Sequence, residues 1–168
     1  MKSIFKLFVA AFLTVAPLTA TAQSNVAHIN VQQLISEMPE VIAAQNELAK
    51  LEKDYTTQID NAFKEFQTKA QSYSSDAANQ TDVTNQARQK ELESMQTNLQ
   101  EFRDSAAQEL QKKQMDLMTP LLDKARNAIT KVGEEQGFNY VIDSSPNGGI
   151  ILANGKDLLA DVKKELGF

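Results

Sequence analysis

The chain has 168 residues, with 22 Asp and Glu against 17 Lys and Arg, a single histidine and no cysteine. Without cysteine there can be no disulfide, thiolate zinc site, thiol nucleophile or cysteine-linked lipid anchor. The acidic balance, with no basic block after the first residues, argues against generic nucleic-acid binding, which needs clustered Lys and Arg to neutralise phosphates.

The N-terminus carries Lys2 and Lys6, an apolar run from Leu7 to Ala16, and small residues ending in Ala20-Thr21-Ala22 before Gln23. A basic start, a short apolar stretch and a small-residue cleavage site predict a secretory signal peptide over residues 1–22. The run is too short to span a bilayer, and no later segment approaches the roughly 20 apolar residues a spanning helix needs. The mature chain is therefore expected to be exported and soluble, and loss of Lys2 and Lys6 takes its net charge from −5 to −7.

"VAHINV" (26–31) reads as a strand and "VQQLISEM" as a short helix after it. From Glu40 to Thr119 there is neither Gly nor Pro, and the composition of Gln, Lys, Glu, Ala and Leu predicts long helix. Only "SYSSDAANQTD" (72–82) interrupts it, with residues that bond their own backbone and favour turns. Two helices joined at about residue 78 follow, with a tip near 74–81.

The first helix repeats Leu48, Leu51, Tyr55, Ile59, Ala62, Phe66, Ala70 and Tyr73 in steps of three and four. The second repeats Leu92, Met95, Leu99, Phe102, Ala106 and Leu110, then the polar exception Lys113, then Leu117 and Leu121. One narrow apolar seam on each helix cannot build a globular core, but it suits an antiparallel coiled-coil hairpin. About 35 residues at 1.5 Å each make an arm of about 50 Å. A fold about residue 78 sets Pro39 opposite about residue 117 and so close to Pro120. Each proline would end or kink a helix, marking a hinge at the arm's base.

After Pro120, the face Leu121, Ala125, Ala128, Ile129 and Val132 predicts a helix stopping at Gly137. "FNYVID" (138–143) and "IILA" (150–153) read as strands around the turn "SSPNGG". Asn154-Gly155 gives a second turn, Asp157 an N-cap, "LLADVKKEL" a last helix and Gly167 its stop. The fold class is thus α+β and mostly α: a helical arm (40–119) on a small body (23–39 and 120–168). Three short strands and three short helices make a marginal core with open sheet edges, so neighbouring bodies are expected to complete one another in an oligomer.

No catalytic constellation is present. His28 in the first strand reads as structural, and Asp143, Ser144 and Ser145 as turn residues without the glycine-framed elbow that exposes a nucleophile. With no second His, no calcium-loop spacing and no phosphate-cradling glycine loop, no metal, cofactor or nucleotide is expected, and the chain does not read as an enzyme. The triplet "NQT" at Asn79 is a glycosylation sequon on the expected tip.

"PLLDKARNAITKVGEEQGFNYVID" (120–143), "DLLADVKKELG" (157–167) and the opening "HINVQQL" resemble the Skp/OmpH family of periplasmic chaperones across essentially the whole mature chain. The resemblance implies a homotrimer with a body built from all three chains and three helical hairpins enclosing a cavity. It implies an ATP-independent holdase for unfolded outer-membrane β-barrel proteins in a periplasm. It would also imply basic arms that contact lipopolysaccharide and acidic membrane, but the arm here has 9 basic and 14 acidic side chains, so that contact is not carried over. The alternative is a trimeric coiled-coil spacer or adaptor for folded envelope proteins, which shares these features.

Rotation at about 100° per residue sorts the arm's apolar residues. From Leu48, Phe66 and Tyr73 fall on the seam, Phe63 on its flank at about 60° and Ile42 at about 120°. Met115 lies at about 140° from Leu92 on the second helix. Ile42, Phe63 and Met115 are therefore the candidate client contacts.

Overall fold

The computed structural model describes residues 25–146 and 148–168; the signal peptide expected over residues 1–22 lies outside them. Strand β1 (Val26–Ile29) leads into helix α1 (Val31–Glu37). The strand stops two residues earlier than predicted because Asn30 caps the helix instead. Its side chain accepts from the Gln33 amide at 2.9 Å, which is worth about 0.5–2 kcal/mol at a helix start.

Met38 is extended (φ −66, ψ 121), as expected of a residue before proline, and ends α1. Pro39 then occupies the first turn of α2 (Pro39–Asp76), where its missing N–H costs nothing. A 3₁₀ turn at Ala77–Asn79 reverses the chain. Thr81 caps α3 (Asp82–Glu135), accepting from the Thr84 amide at 3.2 Å. The reversal is tighter than the polar patch suggested, since α2 runs through Ser72, Ser74 and Ser75 to Asp76.

Of the two outcomes expected at Pro120, an end or a kink, the end does not occur: α3 is one helix of 54 residues, about 81 Å long, with Pro120 inside it. Pro120 is exposed, so water can reach the carbonyl left without its helical donor. Buried residues lie on both sides, Leu99 and Ala106 before it and Ala125, Ala128 and Val132 after, so the helix is packed before and beyond the proline. The two long helices are antiparallel and form the arm, and the base of α3 passes directly into the body.

The helix stop at Gly137 takes the left-handed conformation (φ +74). There the Phe138 amide donates to Gly133 and the Gly137 amide to Glu134, at 2.9 and 3.0 Å. Phe138 thus belongs to the helix stop, and β2 begins later than predicted, at Tyr140–Asp143. The strand expected at 150–153 is not formed. Its place in the sheet is taken by β3, Lys156–Asp157. Ile-Ile-Leu suits a strand only beside a pairing partner, and this stretch has none within its own chain. The Asp157 carboxylate accepts from the Leu159 amide at 2.9 Å at the start of α4 (Leu159–Leu166), which ends at Gly167.

The sheet runs β2-β1-β3, with β1 parallel to both neighbours. One face is covered by the core: Ala27 and Ile29 of β1, Leu34, Met38, Val41 at the foot of α2, Ala125, Ala128 and Val132 of α3, Leu158 and Val162. The alternation of β2 turns Val141 toward that core and leaves Tyr140 63% exposed on the far side. Among the described residues no helix is long and apolar enough to cross a membrane.

Candidate functional site

The arm carries the residues singled out above, and its seam is consumed by its own packing. Leu48, Leu51, Tyr55, Ile59, Phe66 and Tyr73 of α2 are all half-buried, as are Leu92, Met95, Phe102 and Leu110 of α3, while Leu99 is buried. The Tyr55 and Phe102 rings meet edge to face with centroids 6.0 Å apart. Lys113, the polar interruption, pairs with Glu47 at 2.7 Å and keeps its place beside the seam.

A polar ladder flanks the seam. Lys124 pairs with Glu40 at 2.7 Å, the Tyr55 hydroxyl donates to Glu109, and Glu91 receives both Lys69 and the Tyr73 hydroxyl at 2.6 Å. The register is displaced from the one expected, since Glu40, beside Pro39, meets Lys124 and not a residue near 116. The physical reason is the longer α2, which moves the reversal toward residue 80. Pro39 and Pro120 still lie at the same end of the arm.

At the tip, Arg88 lies over the Tyr73 ring at 4.7 Å and donates to Asp76 at 3.1 Å. Asn79 and Gln80 also donate to Asp76. The Arg88 bond holds the Asp76 carboxyl below its ordinary range, and Lys69 with Tyr73 does the same for Glu91. A lowered carboxyl contributes stability above its unfolded value and loses it as pH falls through the folded one. The expected result is an arm whose thermal melting is flat from neutral pH down to about pH 5 and falls below about pH 4. Circular dichroism melts should show a smaller acid loss in Glu91→Gln; an unchanged acid loss in that variant would remove the clasp as its cause.

The three candidate contacts are exposed: Ile42 by 46%, Phe63 by 40% and Met115 by 55%. They stand apart along the arm. Phe63 is not free of the seam, because its ring stacks on Phe66 with centroids 6.5 Å apart and planes 24° apart. Phe66→Ser should destabilise the arm by about 1–2 kcal/mol, less than full burial of a Phe would give. Phe63→Ser should cost under about 1 kcal/mol and leave helix content intact; equal losses of helicity in the two variants would erase this distinction.

Sequence reasoning passed over Val83, 77% exposed near the tip. The signal was available, since Val83 lies about 180° from Leu92 on the helical wheel. It also passed over exposed residues of the body: Leu122, Tyr140, Ile142, Ile150, Ile151 and Leu152. The last three belong to the stretch 150–153, where the expected strand is not formed.

In the body, Asp143 acts in its turn, accepting from the Val31 amide at 3.2 Å and from the Ser145 amide and hydroxyl at 2.9 and 2.6 Å. His28 Nδ1 lies 3.1 Å from the Ser144 hydroxyl. The Asp143 bond to Val31 ties β2 to the start of α1, and the His28–Ser144 contact ties β1 to the end of β2. Among the described residues no group of three His, Asp or Glu side chains is placed to hold a metal ion.

The family model for OmpH-like outer membrane proteins matches residues 25–166. The chain is 25% identical to Chaperone protein Skp of Yersinia enterocolitica over 159 residues, covering 92% of this chain and 93% of the relative. It is 20% identical to the Skp chaperone of Pectobacterium atrosepticum over 151 residues, covering 90% of each. The fold matches a crystal structure of an OmpH-like protein from Caulobacter crescentus with a TM-score of 0.77 at 12% identity, covering 86% of this chain and 85% of that one.

Proposed function

This chain belongs to the OmpH-like family of outer membrane proteins, and from that premise we propose that it is an ATP-independent holdase chaperone of the periplasm. It binds unfolded outer-membrane β-barrel proteins and keeps them from aggregating. It works as a homotrimer, with clients held in the cavity between three arms. The relatives it resembles over nine-tenths of their length carry the name of chaperones, and the reading takes that activity over to this chain.

The observation that carries it is the division of the arm's apolar residues. The seam is spent on the hairpin, and the exposed apolar surface that remains, on Ile42, Val83, Met115 and the open side of Phe63, is spread along the arm. Full burial of one such side chain is worth about 1.5–3 kcal/mol, so each partial contact is weak. Several contacts on linked arms hold a client through avidity and still let it leave. Met115 adds a flexible side chain suited to irregular partners.

The test is light scattering of an unfolded outer-membrane β-barrel protein diluted from denaturant, with and without this protein. Aggregation should be suppressed equally with and without nucleotide. Suppression that needs ATP would overturn the reading, as would stoichiometric binding to one folded envelope protein with no effect on unfolded chains, which is the behaviour of a spacer or adaptor.

A further inference from the structure

Of the three arginines in the chain, two are already engaged: Arg88 with Asp76 and Arg126 with Asp123. Arg103 makes no ion pair among the described residues. Its own helix offers it nothing, because the positions one turn away, 99, 100, 106 and 107, are Leu, Gln, Ala and Ala. The neighbouring Asp104 accepts instead from Gln100 at 3.0 Å. An unpaired guanidinium on an arm with an acidic excess is a local reversal of sign.

Arg103 shares one hollow of 440 Å³ between the two helices with Phe63, Phe66, Leu99, Gln96 and Gln100. The floor is the stacked Phe63–Phe66 pair, with Phe63 presenting an open ring surface. Exposed aromatic surface and an uncommitted guanidinium lie side by side here. A ring laid against Phe63 gains stacking or edge contact, and a carboxylate beside it gains the forked donors of Arg103.

The geometry points to a docking notch for an aromatic side chain flanked by a carboxylate, a Trp, Tyr or Phe next to Asp or Glu, on an unfolded client. It rests on the holdase reading and gives it a chemical preference: the arm as a whole favours cationic segments, while this notch selects an acidic aromatic one. The cation distinguishes it from a purely apolar patch, which would take Trp-Lys as readily as Trp-Asp, and the aromatic rings distinguish it from an aliphatic one, which would take Leu as readily as Trp.

The probe is a fluorescein-labelled, unstructured 20-residue peptide carrying three Trp-Asp pairs, with Leu-Asp and Trp-Lys versions alongside. Anisotropy gives affinity, and because this protein has no Trp, indole emission reports the peptide alone. The Trp-Asp peptide should bind at least fivefold more tightly than either other version, with its emission shifted to the blue. Arg103→Gln should remove the advantage over Trp-Lys, and Phe63→Ser the advantage over Leu-Asp, with helix content unchanged in both. Equal affinity for all three peptides, or variants that leave the ranking intact, overturns the notch. Suppression of client aggregation, measured on the same variants, separates the two claims: if it survives in the double variant while the peptide ranking never appears, only the notch is lost. If no unfolded client is held at all, the holdase reading fails first.

Discussion

Replacing Ile151 and Leu152 together by lysine is expected to leave each chain folded and to abolish assembly into the proposed trimer. Ile151 is fully exposed (101%) and Leu152 is 75% exposed, so neither contributes to packing within its own chain, and lysine there should leave helix content and melting of the isolated chain unchanged. In an assembly the same residues are valuable. A parallel sheet normally has both faces covered, yet here Tyr140 and Ile142 of β2 face outward, and β2 and β3 are both open edges. In the proposed trimer, strand-forming residues without a partner and sheet edges without one would be the complementary halves of the interface between copies. Six lysines brought together in a trimer would reverse that association. Mass in solution by light scattering should fall to that of one chain, and client capture should fall with it, since linked sites exceed single ones by about 10²–10⁴ in avidity. A trimer that persists in this double variant would place the interface elsewhere.

Leu34→Ala is expected to cost about 2–5 kcal/mol, the range for removing a buried leucine and leaving a cavity. Leu34 is fully buried on α1, a helix of seven residues that is too short to persist alone. Its packing against β1, the foot of α2 and the base of α3 is what keeps it helical. The body is small, and such domains have little stability to spare, so this one change removes a large part of what it has. Urea denaturation followed by circular dichroism should show the loss. Leu122→Ala, the same chemistry at a site 41% exposed on α3, is expected to cost under about 1 kcal/mol. Similar losses in both variants would mean that the body core is not where the stability resides.

The arm was the most legible part of the chain. Residues such as Leu48, Leu51 and Tyr55 repeat in steps of three and four because a hairpin of two helices leaves each only one face to bury, and that constraint is written directly into spacing. Pro120 does not end the helix, because the packing on either side of it, contributed by residues far away in sequence, outweighs a proline's local cost. Asn30 could continue a strand or cap a helix, and the competition was decided by the Gln33 amide. Residues 150–153 have strand chemistry but no partner in their own chain, so a single sequence could not say whether they would pair. The candidate contacts Ile42, Phe63 and Met115 follow from helical rotation alone. The notch at Arg103 does not, because it needs the cross-helix register, which sequence symmetry placed several residues away.

The sheet has a consequence for the order of folding. β1 and β2 are hydrogen-bonded neighbours, with Val26 opposite Tyr140, and just before them the Asn25 side chain donates to the Gly137 carbonyl across 112 residues of chain. Closing so long a loop carries an entropic cost, and non-local pairing of this kind slows folding. The arm lies wholly within that loop, and its contacts are nearer in sequence. Once the hairpin has zipped from its tip, the two distant segments arrive side by side at its base and the loop left to close is short. β1, the first of these elements to be synthesised, therefore waits unpaired until nearly all of the chain has followed it, and until then this protein is itself an unfolded chain with an unpaired strand.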